Sequence, residues 1–175
     1  MKKEHSHISR RVGTVSFFTF LSRIAGLVRD AVLAWAFGAT RVADAFYVAF
    51  RIPNLLRRLV AEGALTVAFV PVYTEYLRRS KKEGREAASV IFTYLSLFLT
   101  LLVLLGVLFA PTLVKLIAWG FSAEPGKFEL TVYLTRIMFP YIFLISLVAL
   151  AMGILNSLKK FATPAAAPIL LNLSI

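Results

Sequence analysis

The sequence predicts an all-α integral membrane protein, a polytopic bundle of helices. Three observations predict it. The 175 residues are 59% hydrophobic with a mean hydropathy of +0.78, well above the usual apolar share of a soluble domain. The apolar residues come in long runs, of which residues 87–114 are uncharged for 28 positions and 137–158 for 22, enough to cross a hydrocarbon core of about 30 Å. Lysine lies in the segments between these runs, whereas arginine also occurs within them.

The net charge of +11 could serve nucleic acid, but a basic nucleic-acid-binding domain does not also carry several long apolar runs. In a membrane protein the excess reads as positive loops on the cytoplasmic side. The absence of cysteine excludes disulfides and thiolate metal sites. His5 and His7 sit in a polar tail, residues 1–10, read as solvated and not as a metal site. The N-terminus is not a cleaved signal peptide, because Arg23, Arg29 and Asp30 interrupt the apolar run after residue 12.

Helix 1 is expected over residues 11–37. Arg23 and Asp30, seven apart, share a face, whereas Arg29 lies about 120° from Arg23. Gly26 between them permits a bend or a close neighbour. The simplest structural use of Arg23 and Asp30 is pairing with each other or with a neighbouring helix. Helix 2 is expected over residues 43–79, roughly 55 Å long, with Pro53 as a kink and Gly63 and Pro71 as further weak points.

The chain is organised around residues 44–63, which carry Asp44, Arg51, Arg57, Arg58 and Glu62 in greasy surroundings. On a straight helix Asp44, Arg51, Arg58 and Glu62 share one face, with Arg57 beside it. Each such charge costs about 2.5 to 3.5 kcal/mol at mid-membrane, so the stripe must face protein, water or a charged ligand. It is the candidate functional site.

A basic loop over residues 77–86 precedes helix 3, expected over 87–118, with Trp119 as an interfacial anchor. Helix 4 is expected over 128–158. It begins with Glu129 and Arg136, seven apart, and Pro140 kinks it. After Lys159 and Lys160 an incomplete helix 5 covers 162–175, and the chain reads as truncated there. The N-terminal tail, the 77–86 loop and the 159–160 turn carry 11 Lys or Arg, against 3 on the opposite side (Arg41, Lys115 and Lys127). The N-terminus is therefore expected in the cytoplasm. The remaining six basic residues are Arg23, Arg29, Arg51, Arg57, Arg58 and Arg136, all arginine and all within helices. Arginine stays charged when desolvated and grips phosphate through a planar fork, so the cluster points to an anionic, phosphorylated ligand. Salt bridges between helices would use the same chemistry.

Several motifs carry a family resemblance. They are Ser22-Arg23-Ile24-Ala25-Gly26-Leu27-Val28-Arg29-Asp30, Phe37-Gly38-Ala39, Asp44-Ala45-Phe46, the stretch from Val48 through Pro53 to Arg58, Ala61-Glu62-Gly63-Ala64 and Ala68-Phe69-Val70-Pro71. Phe139-Pro140-Tyr141-Ile142, Ile154-Leu155-Asn156 and Pro164-Ala165-Ala166-Ala167-Pro168 continue the pattern. Together they closely resemble the MurJ/MviN family, the lipid II flippases of bacterial cell-wall synthesis.

The resemblance implies the first four to five helices of an exporter-type fold with twelve plus two helices, in the bacterial inner membrane. It implies lipid II as substrate, with membrane lipids and the missing C-terminal helices as partners. It calls for no cofactor or metal. The family's cavity arginines match Arg23, Arg29, Arg57 and Arg58. Asp44 and Glu62 match its acidic partners, and Asp30 and Arg51 are placed with them as supporting residues.

A family member is about three times as long, so this chain is expected to be inactive alone. The expected mechanism is alternating access. The first rival is an exporter of drugs or of another polyprenyl-linked oligosaccharide, although a drug exporter would want acids and aromatics in place of arginines. A membrane phosphotransferase needs clustered aspartates on Mg²⁺, and Asp30 and Asp44 stand on different helices in no such motif. A purely structural bundle would not keep so many charges at depth.

Overall fold

The structure is a computed structural model. It describes the backbone of residues 2–174 and the side chains of residues 13, 15–60, 67–170 and 172. Among the described residues all regular structure is helical. The chain divides into two compact units, Met1–Gly38 with Leu155–Ile175, and Ala39–Ile154.

The first unit pairs α1 (Lys2–Phe37) with α8 (Ala162–Ser174). The expected polar tail is thus continuous with the first helix, which starts at Lys2 and not near residue 11. The side chains of His5 and His7 lie outside the described residues. The helix stops where Gly38 takes φ +56° and its N–H reaches the Ala34 carbonyl at 2.9 Å. That left-handed conformation costs a side-chain-bearing residue but not glycine.

The second unit opens with α2 (Arg41–Arg57). Thr40 caps it by accepting a hydrogen bond from the Ala43 N–H at 3.2 Å. The helix runs through Pro53, continues as a π-helix over Arg58–Phe69 and returns to α winding in α3 (Val70–Arg79). The single long helix expected here is therefore continuous but changes pitch. Ser80 ends α3 and caps α4 (Lys81–Leu108): its Oγ accepts from the Glu83 N–H at 3.0 Å and donates to Glu83 Oε1 at 3.2 Å, so the loop expected over residues 77–86 shrinks to this one residue between two helices.

The expected third helix breaks at Phe109 into α4 and α5 (Ala110–Ile117). The reason lies in Pro111. In a continuous helix the Val107 carbonyl would accept from the backbone nitrogen of residue 111, and proline has no N–H to give. Arg136 Nε donates to that carbonyl instead, at 3.3 Å. A 3₁₀ turn at Trp119–Ala123 leads to α6 (Lys127–Met138), and a turn at Phe139 and Pro140 separates it from α7 (Tyr141–Ser157).

The core of the second unit joins Ile52, Leu99, Ala110, Val114, Val132, Phe139 and Ile142. A second cluster joins Phe69, Tyr73 and Leu150. Gly106 on α4 and Phe139 are in direct contact, and the ring fills the space a Cβ would need. Among the described residues two helical segments are long and apolar enough to cross a membrane, Lys81–Leu108 and Lys127–Ser157, the second being α6 and α7 taken together across the turn at Phe139 and Pro140. Most of their apolar surface is not buried within the chain, with Leu97, Leu101, Leu104 and Leu108 all exposed on α4. So much outward apolar surface suits a lipid solvent.

Candidate functional site

The candidate residues divide between the two units. In the first, Arg29 is held on several sides. Its Nε and Nη2 donate to Asp30 Oδ1 at 3.0 and 2.7 Å, and its Nη1 donates to Asn172 Oδ1 at 3.0 Å. Asn172 in turn donates from Nδ2 to the Ser22 carbonyl at 2.9 Å and to Ser22 Oγ at 3.3 Å. The amide thus ties α8 to α1 and fixes the plane of the Arg29 guanidinium, which is partly buried.

Asp30 therefore pairs with its neighbour Arg29, and not with Arg23 as the heptad spacing suggested. Arg23 lies exposed on α1. Gly26 faces Asn172, yet a Cβ there would stand 3.5 Å from Nδ2, an ordinary contact. Alanine would fit, so the close approach does not itself require glycine.

Asn172 was not among the residues singled out from the sequence. The signal was present: an amide within the uncharged run 161–175, where an unpaired polar group in hydrocarbon would be costly and so seeks a partner on a neighbouring helix.

In the second unit, Asp44, Arg51 and Arg57 lie on α2 and Arg58 opens the π-helix. Arg57 Nε donates to Asn54 Oδ1 at 2.9 Å, one turn back. Arg51 and Arg58 are exposed. The single face drawn through Asp44, Arg51, Arg58 and Glu62 assumed α winding throughout. That winding ends at Arg57, and the wider i→i+5 turns that follow take Glu62 off the α-helical register. The Glu62 side chain lies outside the described residues.

Asp44 has a partner that the sequence did not suggest. Lys127 Nζ donates to Asp44 Oδ2 and to Glu124 Oε1, each at 2.9 Å, and stands 4.2 Å from the centre of the Phe121 ring. The lysine side chain is 6% exposed, against 56% for Asp44 and 42% for Glu124. Arg41 Nε approaches the other Glu124 oxygen at 3.8 Å from the exposed rim. An ammonium buried this far needs its donors used, and two carboxylates and an aromatic face use them. The cluster fastens the start of α2 to the start of α6. Below it a hydroxyl ladder continues down α6, from Thr131 Oγ1 to the Lys127 carbonyl and from Thr135 Oγ1 to the Thr131 carbonyl, both at 2.7 Å and both buried.

Chemically, the described charged groups offer guanidinium forks suited to an anion. Among the described residues no group of three or more His, Asp or Glu could hold a metal ion.

Comparison with known proteins bears on the family of the chain. A family model described as lipid II flippase MurJ matches residues 33–175, a span that includes Arg57, Arg58 and Asp44 but begins beyond Arg23 and Arg29. The chain is 47% identical over 161 residues to the probable lipid II flippase MurJ of Rickettsia prowazekii, covering 92% of this chain and 32% of that protein. It is 47% identical over 169 residues to the lipid II flippase MurJ of Burkholderia cenocepacia, covering 96% and 33%. With the probable lipid II flippase MurJ of Treponema pallidum it shares 41% identity over 168 residues, covering 92% and 31%. The chain thus spans about a third of the length of the curated relatives it matches. The family match over most of the chain, on an all-helical scaffold with two membrane-length apolar helices, places this protein in the membrane-protein family described as lipid II flippase MurJ.

Proposed function

We propose that the protein takes part in moving lipid II, the undecaprenyl-pyrophosphate-linked peptidoglycan precursor, from the inner to the outer leaflet of the bacterial cytoplasmic membrane. It does so as a transporter and not as an enzyme. The observation that carries this reading is the family match. The chemistry of the arginines supports it. Arg29 is oriented by Asp30 and Asn172 before any ligand arrives, and an oriented guanidinium loses little freedom on gripping a phosphate.

In this reading Arg23, Arg29, Arg57 and Arg58 take the pyrophosphate, and Asp30, Asp44, Arg51 and Glu62 support or gate them. The polyprenyl tail stays in the bilayer while the headgroup passes by alternating access. The N-terminus is cytoplasmic, following the excess of Lys and Arg on that side. The part of the relatives' length that this chain does not span supplies the remaining helices. The family match favours this reading over a drug exporter.

The test uses cells depleted of their own flippase and complemented with the full-length parent protein. Each of Arg23, Arg29, Arg57 and Arg58 is replaced by Ala and by Lys, membrane levels are checked, and lipid II at the outer surface is measured. Normal insertion with lost exposure of lipid II is the expected result. Wild-type exposure in all four Ala variants would reduce the arginines to structural pairs.

A further inference from the structure

A groove in the second unit is lined by Pro111, Phe128, Glu129, Val132, Tyr133 and Arg136 and encloses about 300 Å³. Glu129, Tyr133 and Arg136 follow one another on α6 at spacings of four and three, so they form one stripe. Val132 is buried at the back of the groove, and Tyr133 stands exposed at its side. The charges at the two ends of the stripe are opposite. Among the described residues neither is in an ion pair with another side chain. Nor can they pair with each other directly, because seven residues of α-helix separate them by about 10.5 Å along the axis and helical ion pairs form at three or four.

Arg136 is also positioned. Pro111 leaves the Val107 carbonyl without a backbone donor, and Arg136 Nε fills that place at 3.3 Å. The contact uses one edge of the guanidinium and leaves Nη1 and Nη2 available. Helical side chains lean toward the N-terminal end, which is the end where Glu129 lies. The groove runs along α6, within the membrane-length segment Lys127–Ser157, with Pro111 of α5 at its other wall, and its remaining walls are mostly apolar. An unpaired cation and an unpaired anion on such a surface each need a partner.

We propose that this groove binds one zwitterionic aminophospholipid of the surrounding bilayer. The lipid phosphate sits on the free edge of Arg136 and the primary ammonium on Glu129, with the ethanolamine methylenes passing Val132 and Tyr133 and the glycerol and acyl chains leaving the groove at the Arg136 end. The sign order selects this occupant. A single ligand must present an anion toward Arg136 and a hydrogen-bonding cation toward Glu129, two helical turns apart. Phosphatidylethanolamine has both. Phosphatidylglycerol lacks the cation, and the quaternary ammonium of phosphatidylcholine has no N–H to donate. The site uses none of the arginines assigned to the pyrophosphate, and the inference rests only on the membrane location of the chain.

The experiment reconstitutes the chain in nanodiscs with equal amounts of phosphatidylethanolamine, phosphatidylcholine and phosphatidylglycerol of matched acyl chains. Lipid retained by the protein after release is counted by native mass spectrometry. The wild type should retain phosphatidylethanolamine preferentially. Arg136→Gln should lower that retention by at least about tenfold, the size of one lost charge-assisted contact. Glu129→Gln is isosteric and exposed, so it should leave the fold intact, which circular dichroism checks. It should abolish the preference for phosphatidylethanolamine over phosphatidylglycerol. Equal retention of the three lipids by the wild type would overturn the proposal and leave the groove to another protein segment. A preference that survives Glu129→Gln would overturn it as well.

Discussion

Replacing Gly106 by alanine should destabilise the second unit, although alanine is the better helix former. The added Cβ would overlap Cε1, Cζ and Cδ1 of Phe139. The ring has little room to withdraw, because Phe139 is 1% exposed and lies in the cluster with Ile52, Leu99, Ala110, Val114, Val132 and Ile142. Overpacking of this kind costs about 1 to 3 kcal/mol, and overlap in place of mere contact puts the cost near the upper end. The gain in helix propensity, about 1 kcal/mol, offsets part of it. The net loss should be about 2 kcal/mol.

Phe139→Leu alone leaves a cavity and is also destabilising, but the double variant places the new methyl in the vacated space. The two changes should then be coupled favourably by about 1 to 2 kcal/mol, within the range for residues in contact. Equilibrium unfolding of the purified chain in mixed micelles, followed by loss of helical circular dichroism, measures all four corners of the cycle. If Gly106→Ala is as stable as the wild type, or if the double variant is additive within about 0.5 kcal/mol, then the close approach of α4 to the α6–α7 turn does not limit this structure and the reasoning fails.

Three further outcomes follow from single contacts. Lys127→Met keeps the aliphatic stem but removes both carboxylate bonds. It should lower the thermal midpoint by several degrees, whereas Arg41→Gln at the exposed rim should change it by about 1 °C or less; equal effects would mean that the buried lysine is not the fastening point. Asn172→Ala removes the acceptor for Arg29 and the donor to Ser22, which should cost about 2 kcal/mol locally and speed amide hydrogen exchange along α8; unchanged exchange would show that α8 is held by apolar contact alone. Gly38→Ala puts a side chain at φ +56° and should cost about 1 to 2 kcal/mol in the same unfolding assay, with Gly38→Asn cheaper because asparagine tolerates that conformation.

Much of the helical layout was legible because its signals are local. Lys81–Leu108 and Lys127–Ser157 announce themselves as apolar runs of sufficient length. Helix 1 ends at Phe37 as expected, with Gly38 after it, and Pro140, expected as a kink, marks the turn between α6 and α7; Ser80 and Glu83, which start α4, were passed over inside a segment read as a loop. Other features were less legible. Pro111 was not weighed within the long helix expected over 87–118, yet the helix breaks at Phe109 two residues before it. The π-helix over Arg58–Phe69 leaves no trace in a pattern read at 100° per residue, so a face drawn from Asp44 to Glu62 could not anticipate the change of winding. The α1 boundary differs for a simpler reason, since polar residues with no reason to stop a helix can continue it to Lys2.

By itself the sequence determined that this protein is helical and that its apolar runs are of membrane length; the expectation that lysine stays between the helices fails, because Lys81, Lys115 and Lys127 lie within α4, α5 and α6. It also carried the motifs that resemble the family. These properties depend on composition, on spacing within one helix and on capping over a few residues, all of which are written consecutively. Only the tertiary structure decided which partner each charge takes. Asp44 meets Lys127, 83 residues away, and Arg29 meets Asn172, 143 residues away. Helical spacing tells which residues share a face but not which other helix that face meets. That choice is made when side chains such as Phe139 and Gly106 fit together and the helices dock, and each buried polar group then bonds to whatever docking has brought within about 3 Å.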